Sequence, residues 1–216
     1  LLRAPRYAPD GQGLAFVDAG GRVGIVELPG ARLTVDEFAA VGPPAWLPNS
    51  SGVLVAGTDS TDTGGVPDDA LAPPGGPVLP LEPWTAAQAD GSGPEVVLLR
   101  RSGFSIAGTE LGMPAVAPVA GIEGSVAFLR PEGPAASAPG GRLYLADSLE
   151  DRPRLVTATR DLLVASASFG PEPDALALGV LGPGGDLDTA GIWILDVEEG
   201  DLVDLDQDGW QPRWLP

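Results

Sequence analysis

The sequence contains no cysteine, no histidine and no lysine, and each absence removes a class of chemistry from this chain. Without cysteine there are no disulfides and no thiolate nucleophiles. Without histidine the chain lacks the usual general base, the Ser–His and Cys–His nucleophile pairs and the commonest transition-metal ligand. Any bound metal would be a hard cation held by oxygen atoms. We therefore expect no catalytic residues within this chain and no resident cofactor.

Positive charge is also scarce. Thirty Asp and Glu residues stand against twelve basic residues, all of them Arg, which gives a net charge of -18. Nucleic-acid backbones and anionic membrane surfaces repel such a chain. No apolar run reaches the ~18–20 residues of a membrane-spanning helix, and the opening segment lacks the features of a signal peptide. We expect no nucleic acid, no membrane span, and a mature or excerpted chain.

What the sequence has in abundance is glycine (31) and proline (24), placed at recurring positions. A five-residue phrase, Pro-x-aromatic/apolar-x-Pro, repeats along the chain. Its copies are Pro5–Pro9, Pro44–Pro48, Pro114–Pro118, the degenerate Ala167–Pro171, and Pro212–Pro216. Turns and short apolar runs follow the first four copies, whereas no helix-period stretch exceeds two turns.

Four short strands per repeat, at a period of ~40–50 residues, are typical of a β-propeller blade. The fold class that we predict is all-β, a β-propeller of four-stranded antiparallel blades in one domain over residues 1–216. The predicted blades cover residues 4–41, 42–111, 112–163 and 164–210, with a surplus innermost strand at 211–216. The phrase aromatics Tyr7, Trp46, Phe169 and Trp214 are expected to pack between neighbouring blades, and Tyr144 and Trp193 to lie in the core.

The stretch PRYAPDGQGLAFVDAGGRVGIVEL resembles the TolB-like, WD-like propeller repeat, in which Pro-x-Trp-Ser-Pro-Asp-Gly precedes a strand. The resemblance covers nearly the whole chain, although only Asp10-Gly11 keeps the Asp-Gly turn intact. It implies a bacterial protein, commonly periplasmic or extracytoplasmic, and it specifies a fold and no activity.

The last phrase duplicates the strand that opens the chain and does not complement it. Propellers usually close by pairing the two chain ends within one blade. We therefore expect four blades of a larger propeller. A closed four-blade ring with a redundant tail is the alternative.

The predicted long loops rise from one rim of the propeller, between the second and third strands of a blade. The longest is the insertion at 59–94, which is either a tolerated disordered segment or a partly folded one anchored by Trp84. With the loop of the fourth blade, this rim supplies the candidate partner-binding residues Asp59, Asp62, Asp68, Asp69, Trp84, Asp186 and Asp188. Such a rim would attract a cation or a basic protein or peptide, although solubility alone also accounts for surplus acids.

One motif suggests a metal. Asp204, Asp206, Asp208 and Gly209 match the first half of a calcium loop. The second half fails, because Leu215 stands where a bidentate Glu is needed. Calcium at these three aspartates is the one cofactor that the sequence allows.

These features predict a non-catalytic TolB-like propeller that binds a protein or peptide through its acidic loop face and axial mouth. The alternative is the substrate-gating propeller of a prolyl-oligopeptidase-like serine peptidase whose catalytic domain lies outside this chain. A calcium-dependent lactonase-like propeller is a third class, but it needs an Asp/Asn cage and Asn49 is the only Asn.

Overall fold

The computed structural model describes residues 3–18, 21–29, 32–40, 42–58, 95–101, 105–108, 116–131, 140–183, 185–209, 212 and 214. Within these ranges the secondary structure is sixteen antiparallel strands and one 3-10 turn, Thr157–Thr159. The predicted all-β class with antiparallel sheets is confirmed. Among these residues, no helix has the length and apolar character that crossing a membrane requires.

The strands follow one another in four groups of four, which we number along the chain. Group 1 is β1 (Arg3–Tyr7), β2 (Gly13–Val17), β3 (Arg22–Glu27) and β4 (Arg32–Ala40). Group 2 is β5 (Ala45–Trp46), β6 (Gly52–Thr58), β7 (Glu95–Arg100) and β8 (Ser105–Gly108). Group 3 is β9 (Val116–Ala120), β10 (Val126–Pro131), β11 (Gly141–Ala146) and β12 (Arg154–Leu155). Group 4 is β13 (Val164–Phe169), β14 (Ala175–Gly182), β15 (Asp186–Asp196) and β16 (Leu202–Asp208).

Within each group, consecutive strands pair with one another. The β6–β7 ladder, for example, runs without a break from Gly52↔Arg100 to Gly57↔Glu95. Short bridges join the groups in pairs: Ala40↔Gly57 links groups 1 and 2, and Gly141↔Val164 links groups 3 and 4. The first strand of each group, which we call its inner strand, pairs with the second strand of the same group.

The middle groups bury both faces of their sheets at β6, β7 and β10, because these strands have runs of successive rather than alternate apolar residues, at 53–56, 96–99 and 126–129. In β6, Val53 and Val55 pack towards group 1, while Leu54 and Ala56 pack towards group 3. Three apolar layers result, one between each pair of successive groups. The four groups therefore stack face to face in sequence order.

The turn after each inner strand fixes the register of the repeat, and it corrects one sequence-based alignment. The amide of Ala8 donates to the carbonyl of Gly13 (2.8 Å), and Gly121 donates in the same way to Ser125 (2.8 Å). Gly121 is thus the equivalent of Ala8, so the third copy of the phrase is 118–122. The predicted alignment at 114–118 was wrong, because a second proline four residues away satisfied the pattern.

The corrected register places Ala120 where the other groups carry an aromatic residue. In this group the aromatic side chains come from the neighbouring strands β10 and β11 instead. Phe128 and Tyr144 lie opposite each other in the β10–β11 ladder, with stacked rings whose centroids are 5.8 Å apart. Both residues belong to the layer between groups 2 and 3.

The phrase aromatics do not all lie in the core. Trp46 is buried, and Phe169 and Trp193 pack against the layer between groups 3 and 4. Tyr7, however, is 71% exposed and Trp214 is 38% exposed. The prediction that these two are core residues was wrong, because Tyr7 lies on group 1, the first of the stack, and Trp214 follows group 4, the last.

Candidate functional site

The four inner strands line a cavity of about 270 Å³ that is open to solvent. Its wall is formed by residues 6–7 of group 1, 43–46 of group 2, 117–120 of group 3, 165–169 of group 4, and Pro212. The cavity therefore draws on all four groups. We call this feature the inner-strand cavity.

The wall of the inner-strand cavity is stiff, and its surface is nearly as polar as it is apolar. Four of its described residues are prolines: Pro43, Pro44, Pro118 and Pro212. A proline has a fixed φ, so this surface loses little freedom when a ligand binds. Small residues make up most of the remaining described wall, which also has hydroxyls at Ser166 and Ser168 and, among its described residues, one charged residue, Arg6.

The backbone of the wall departs from regular strand geometry. Ala117 has a φ of 48°, in the left-handed region that non-glycine residues rarely adopt. A register shift occurs in each of three inner-strand pairings: β1 with β2, β9 with β10, and β13 with β14. Such irregularities expose backbone hydrogen-bonding groups and are common next to binding sites.

Trp46 fixes the position of one side of the cavity. Its indole Nε1 donates a hydrogen bond of 2.9 Å to the carbonyl oxygen of Arg6. The ring lies against Gly13, where an added Cβ would come within 3.1 Å of it. A larger residue at position 13 would therefore displace the indole.

The same anchor recurs in group 4. The Nε1 of Trp214 donates to the carbonyl oxygen of Ser168 at 2.9 Å, and its ring lies 3.1 Å from a Cβ added at Gly170. The Phe169 ring lies 3.1 Å from a Cβ added at Gly121, but a phenyl ring has no N–H group that could donate a hydrogen bond. Three of the phrase aromatics, Trp46, Phe169 and Trp214, thus contact the preceding group of strands.

A polar cluster joins groups 1 and 2 at the end of the sheets that carries the turn after β1. The Arg101 guanidinium donates to both carboxylate oxygens of Glu27, at 2.8 Å from Nε and 2.6 Å from Nη2. Its Nη1 donates to Asp10 at 2.7 Å, and the charged group lies 5.7 Å from the centroid of the Trp46 ring. We call Arg101, Glu27 and Asp10 the inter-sheet clamp.

The clamp shifts the ionisation of its members. The pKa of Arg101 is raised above its ordinary value, first by hydrogen bonding to Glu27 and also by Asp10. The pKa of the Asp10 carboxyl is held below its ordinary 3.8, first by the amide hydrogen bond from Gln12 and then by Arg101. Both shifts favour the charged forms, so Arg101 and Asp10 stay ionised at neutral pH.

The predicted rim residues are only partly within the described structure. Asp59, Asp62, Asp68, Asp69 and Trp84 lie outside the described residues. Asp186 and Asp188 lie on β15 and are exposed, and Asp186 pairs with Gly182 of β14 instead of lying in the predicted loop. The carboxylate of Asp186 forms its hydrogen bonds within its own segment: it accepts from the Asp188 amide (3.0 Å) and from the Thr189 hydroxyl (3.2 Å).

The three candidate calcium ligands lie on a strand. Asp204, Asp206 and Asp208 belong to β16 and are exposed, so their predicted placement in a loop was wrong. Asp206 has a φ of 57°, and its amide donates to Asp204 at 2.9 Å. Within the described ranges no group of three or more acidic side chains is arranged to hold a metal ion. Calcium binding here stays a prediction.

Sequence reasoning missed both Arg6 and Arg101. Arg6 stands inside the first phrase, between Pro5 and Tyr7, and that position could have been assigned to the inner strand. Arg101 contacts Glu27 and Asp10 across separations of 74 and 91 residues. No local pattern reports such a pairing, and only the stacking of groups 1 and 2 creates it.

No protein-family model matches the sequence, and no curated protein matches it. Several solved structures, however, are similar to this chain. Oligogalacturonate lyase from Vibrio parahaemolyticus aligns over 94% of this chain and 52% of its own, with a TM-score of 0.61 and 12% identity. The β-propeller domain of Cps50 (Swd1) from Myceliophthora thermophila aligns over 93% and 53%, with a TM-score of 0.54 and 11% identity.

A third similar structure is a puromycin-hydrolyzing peptidase from Mycobacterium tuberculosis, which aligns over 96% of this chain and 29% of its own. The TM-score is 0.57 and the identity 14%. The chain thus spans about half the length of the first two proteins and under a third of the peptidase. At these identities the likeness shows the fold alone, an all-β arrangement shared with β-propeller proteins.

Proposed function

We propose that the four strand groups are four blades of a larger TolB-like propeller, in one domain over residues 1–216. Two observations support this arrangement: the face-to-face stacking of groups 1 to 4, and the recurrence of the Trp46 contact at Trp214. On this proposal the inner strands surround the propeller axis, and the inner-strand cavity is part of its axial mouth.

We further propose that this propeller is a non-catalytic module that binds a protein or peptide. The observation that carries the proposal is the inner-strand cavity, with its stiff wall drawn from all four groups. Pockets at the convergence of several elements, apolar with a few polar groups, are the usual form of a binding site. The acidic rim would attract a basic partner. We also propose that the protein is periplasmic or extracytoplasmic.

The test fills the cavity. Ala165 lines it and lies outside the three apolar layers, so Ala165→Trp adds bulk there with little effect on the core. Ile122→Trp is the matched control, because Ile122 is 54% exposed and does not line the cavity. Thermal unfolding checks that both variants are folded, and Ala165→Leu serves if the larger residue is not tolerated.

Peptides selected from a displayed library against the purified chain provide the readout. We expect them to bind Ile122→Trp as they bind the parent chain and to lose at least about tenfold in affinity with Ala165→Trp. Equal affinity for all three proteins would place the binding surface elsewhere. Selection of no peptide at all would count against a peptide-binding function.

The second candidate is a substrate-gating propeller of a serine peptidase. The observation that favours it is the likeness to the puromycin-hydrolyzing peptidase, of which this chain matches 29%. A catalytic domain would then lie outside this chain. The test is to read the coding sequence adjacent to the segment for residues 1–216. A Gly-x-Ser-x-Gly motif followed by Asp and His would support the peptidase hypothesis, and a sequence without them would exclude it.

A further inference from the structure

The turn after each inner strand is closed by two residues that lie where the next group packs. The amide of the first donates to the carbonyl oxygen of the second, and we call these two residues a turn pair. The four turn pairs are Ala8 with Gly13, Leu47 with Gly52, Gly121 with Ser125, and Gly170 with Ala175. They differ in the size of their side chains, and what packs against them differs accordingly.

Three of the turn pairs consist of small residues, and each of these three holds an aromatic ring of the following phrase. The contacts are Trp46 on Gly13, Phe169 on Gly121 and Trp214 on Gly170, each ring 3.1 Å from a Cβ added at the glycine. Packed interiors tolerate neither overlap nor voids, so a small turn pair and an aromatic ring complement each other.

The second turn pair shows the reverse arrangement. Leu47 stands where the other pairs have alanine or glycine, and the equivalent residue of the following phrase is Ala120 instead of an aromatic. Both residues pack in the layer between groups 2 and 3. A large residue in the turn pair thus goes with a small residue in the following phrase, as constant packing density requires.

No described turn pair remains for Tyr7. Tyr7 is the phrase aromatic of group 1, and it is 71% exposed, whereas Trp46 at the equivalent position of group 2 is 9% exposed. A ring closed by these four groups alone would bring Tyr7 to the turn pair of group 4. Trp214 already lies there, next to Gly170 and Ala175.

We propose that Tyr7 anchors a docking surface on group 1, and that its occupant is a further strand group of the same repeat, in the same polypeptide, with a turn pair of small residues. The contact that recurs at Trp46, Phe169 and Trp214 supports this occupant. A second copy of residues 1–216 fits less well, because its group 4 carries the same Trp214. The inference rests on the proposed larger propeller and names the surface and the chemistry by which a further blade docks.

Nitration of tyrosine by tetranitromethane, followed by peptide mass spectrometry, tests the docking. The chain has two tyrosines, and the second, Tyr144, packs against the layer between groups 2 and 3 and is the internal reference. Tyr7 should react readily in the chain of residues 1–216. In the whole protein made from the complete gene it should react at least about tenfold more slowly, because a docked ring reacts only after local opening.

Two variants of the whole protein locate the partner of Tyr7. Replacing the first small residue of the proposed further turn pair by leucine should restore fast nitration of Tyr7. The matched control is Gly170→Leu, which fills the turn pair that holds Trp214 and should leave Tyr7 protected. Slow nitration of Tyr144 verifies that each protein is folded.

The possible results separate the inference from the larger propeller on which it rests. Fast nitration of Tyr7 in a whole protein that does contain further repeats would overturn the docking role of Tyr7 and leave the larger propeller standing. A complete gene without a further repeat would overturn both. Fast nitration caused by Gly170→Leu would mean that Tyr7 docks on group 4, and protection found only in a dimer, by analytical ultracentrifugation, would mean that a second copy is the occupant. Either result would overturn the inference.

Discussion

The indole nitrogen of Trp46 donates a 2.9 Å hydrogen bond to the carbonyl oxygen of Arg6, 40 residues earlier in the chain. The residue equivalent to Trp46 in the last phrase, Trp214, makes the same bond to Ser168, 46 residues earlier. In both pairs the acceptor is the residue just before the aromatic position of the preceding phrase. The Trp46 bond is thus a spacer between the inner strands of groups 1 and 2, and it fixes one side of the cavity.

The first prediction concerns that spacer. Trp46→Phe keeps a ring against Gly13 but leaves the Arg6 carbonyl without its indole donor. We expect the free energy of unfolding to fall by about 1–3 kcal/mol, the usual cost of an unsatisfied buried polar group. Trp46→Ala should cost more, about 3–5 kcal/mol, because it also leaves a void.

Urea denaturation measures both changes. Trp214→Phe is the matched control, since the same bond is removed from a residue that is 38% exposed and can be replaced by water. Its cost should stay below about 1 kcal/mol. If Trp46→Phe were as stable as the parent chain, the indole bond would not be what spaces the inner strands.

The second prediction concerns the inter-sheet clamp. Arg101 is 17% exposed and holds Glu27 through a two-pronged contact, which lysine cannot reproduce. Arg101→Lys should therefore lower the free energy of unfolding by about 1–3 kcal/mol. Arg22→Lys, at an arginine that is 57% exposed and paired with Asp18, should change it by less than about 1 kcal/mol.

A double-mutant cycle isolates the pair. Arg101→Met, Glu27→Gln and the double variant should give a coupling energy of about 0.5–3 kcal/mol, as expected for residues in direct contact. A coupling indistinguishable from zero would mean that the clamp marks the junction of groups 1 and 2 without stabilising it.

The third prediction is a pH dependence. Folding lowers the pKa of Asp10, chiefly through the Gln12 amide and then through Arg101. A carboxyl with a lowered folded pKa contributes stability that is present above its unfolded value, here 3.8, and is lost as the pH falls through the folded value. Stability should therefore decline below about pH 4 partly because Asp10 takes up a proton.

Asp10→Asn should be less stable than the parent chain at neutral pH, and its stability should fall less steeply below about pH 4. Denaturation at a series of pH values measures both effects. Asp161→Asn changes an exposed aspartate outside the clamp and should leave the acid limb unaltered. Parallel acid limbs for the parent chain and Asp10→Asn would refute the assignment.

The sequence predicts the fold class well because the information is periodic. The turn after β1, closed by the Ala8 amide and the Gly13 carbonyl, recurs after β5, β9 and β13, so each copy strengthens the others. The third copy was misaligned because Pro114 and Pro118 satisfy the pattern by coincidence. Hydrogen bonding decides in favour of 118–122, and an alignment based on residue type alone cannot.

The candidate site was less predictable, for a physical reason. The inner-strand cavity depends on how four strands separated by tens of residues converge, and Arg6 looks like any polar residue between two prolines. Exposure of Tyr7 and Trp214 was missed because residue type indicates burial only when a neighbouring sheet covers that face. Asp186 and Asp188 were assigned to a loop because Gly and Asp usually mark turns, whereas pairing with β14 extends the strand.

The last prediction concerns Ser50, which lies at the same turn position as Gly11 and Gly124. All three have left-handed backbones, with φ of 58°, 69° and 91°, and only Ser50 has a side chain. A serine there is strained by about 1 kcal/mol relative to glycine. The strain is offset by its hydroxyl, which accepts a 3.1 Å hydrogen bond from the Asp10 amide.

Two substitutions separate these opposing effects. Ser50→Ala keeps the strain and removes the hydrogen bond, so we expect a loss of about 1–2 kcal/mol in the free energy of unfolding. Ser50→Gly removes both, and the net change should lie within about 0.5 kcal/mol of zero. Urea denaturation distinguishes the two, with Gly11→Ala as a control that adds strain alone and should cost about 1 kcal/mol. Equal losses in the alanine and glycine variants would show that the Ser50 backbone is not strained, and that the hydroxyl bond to Asp10 alone accounts for serine at this turn.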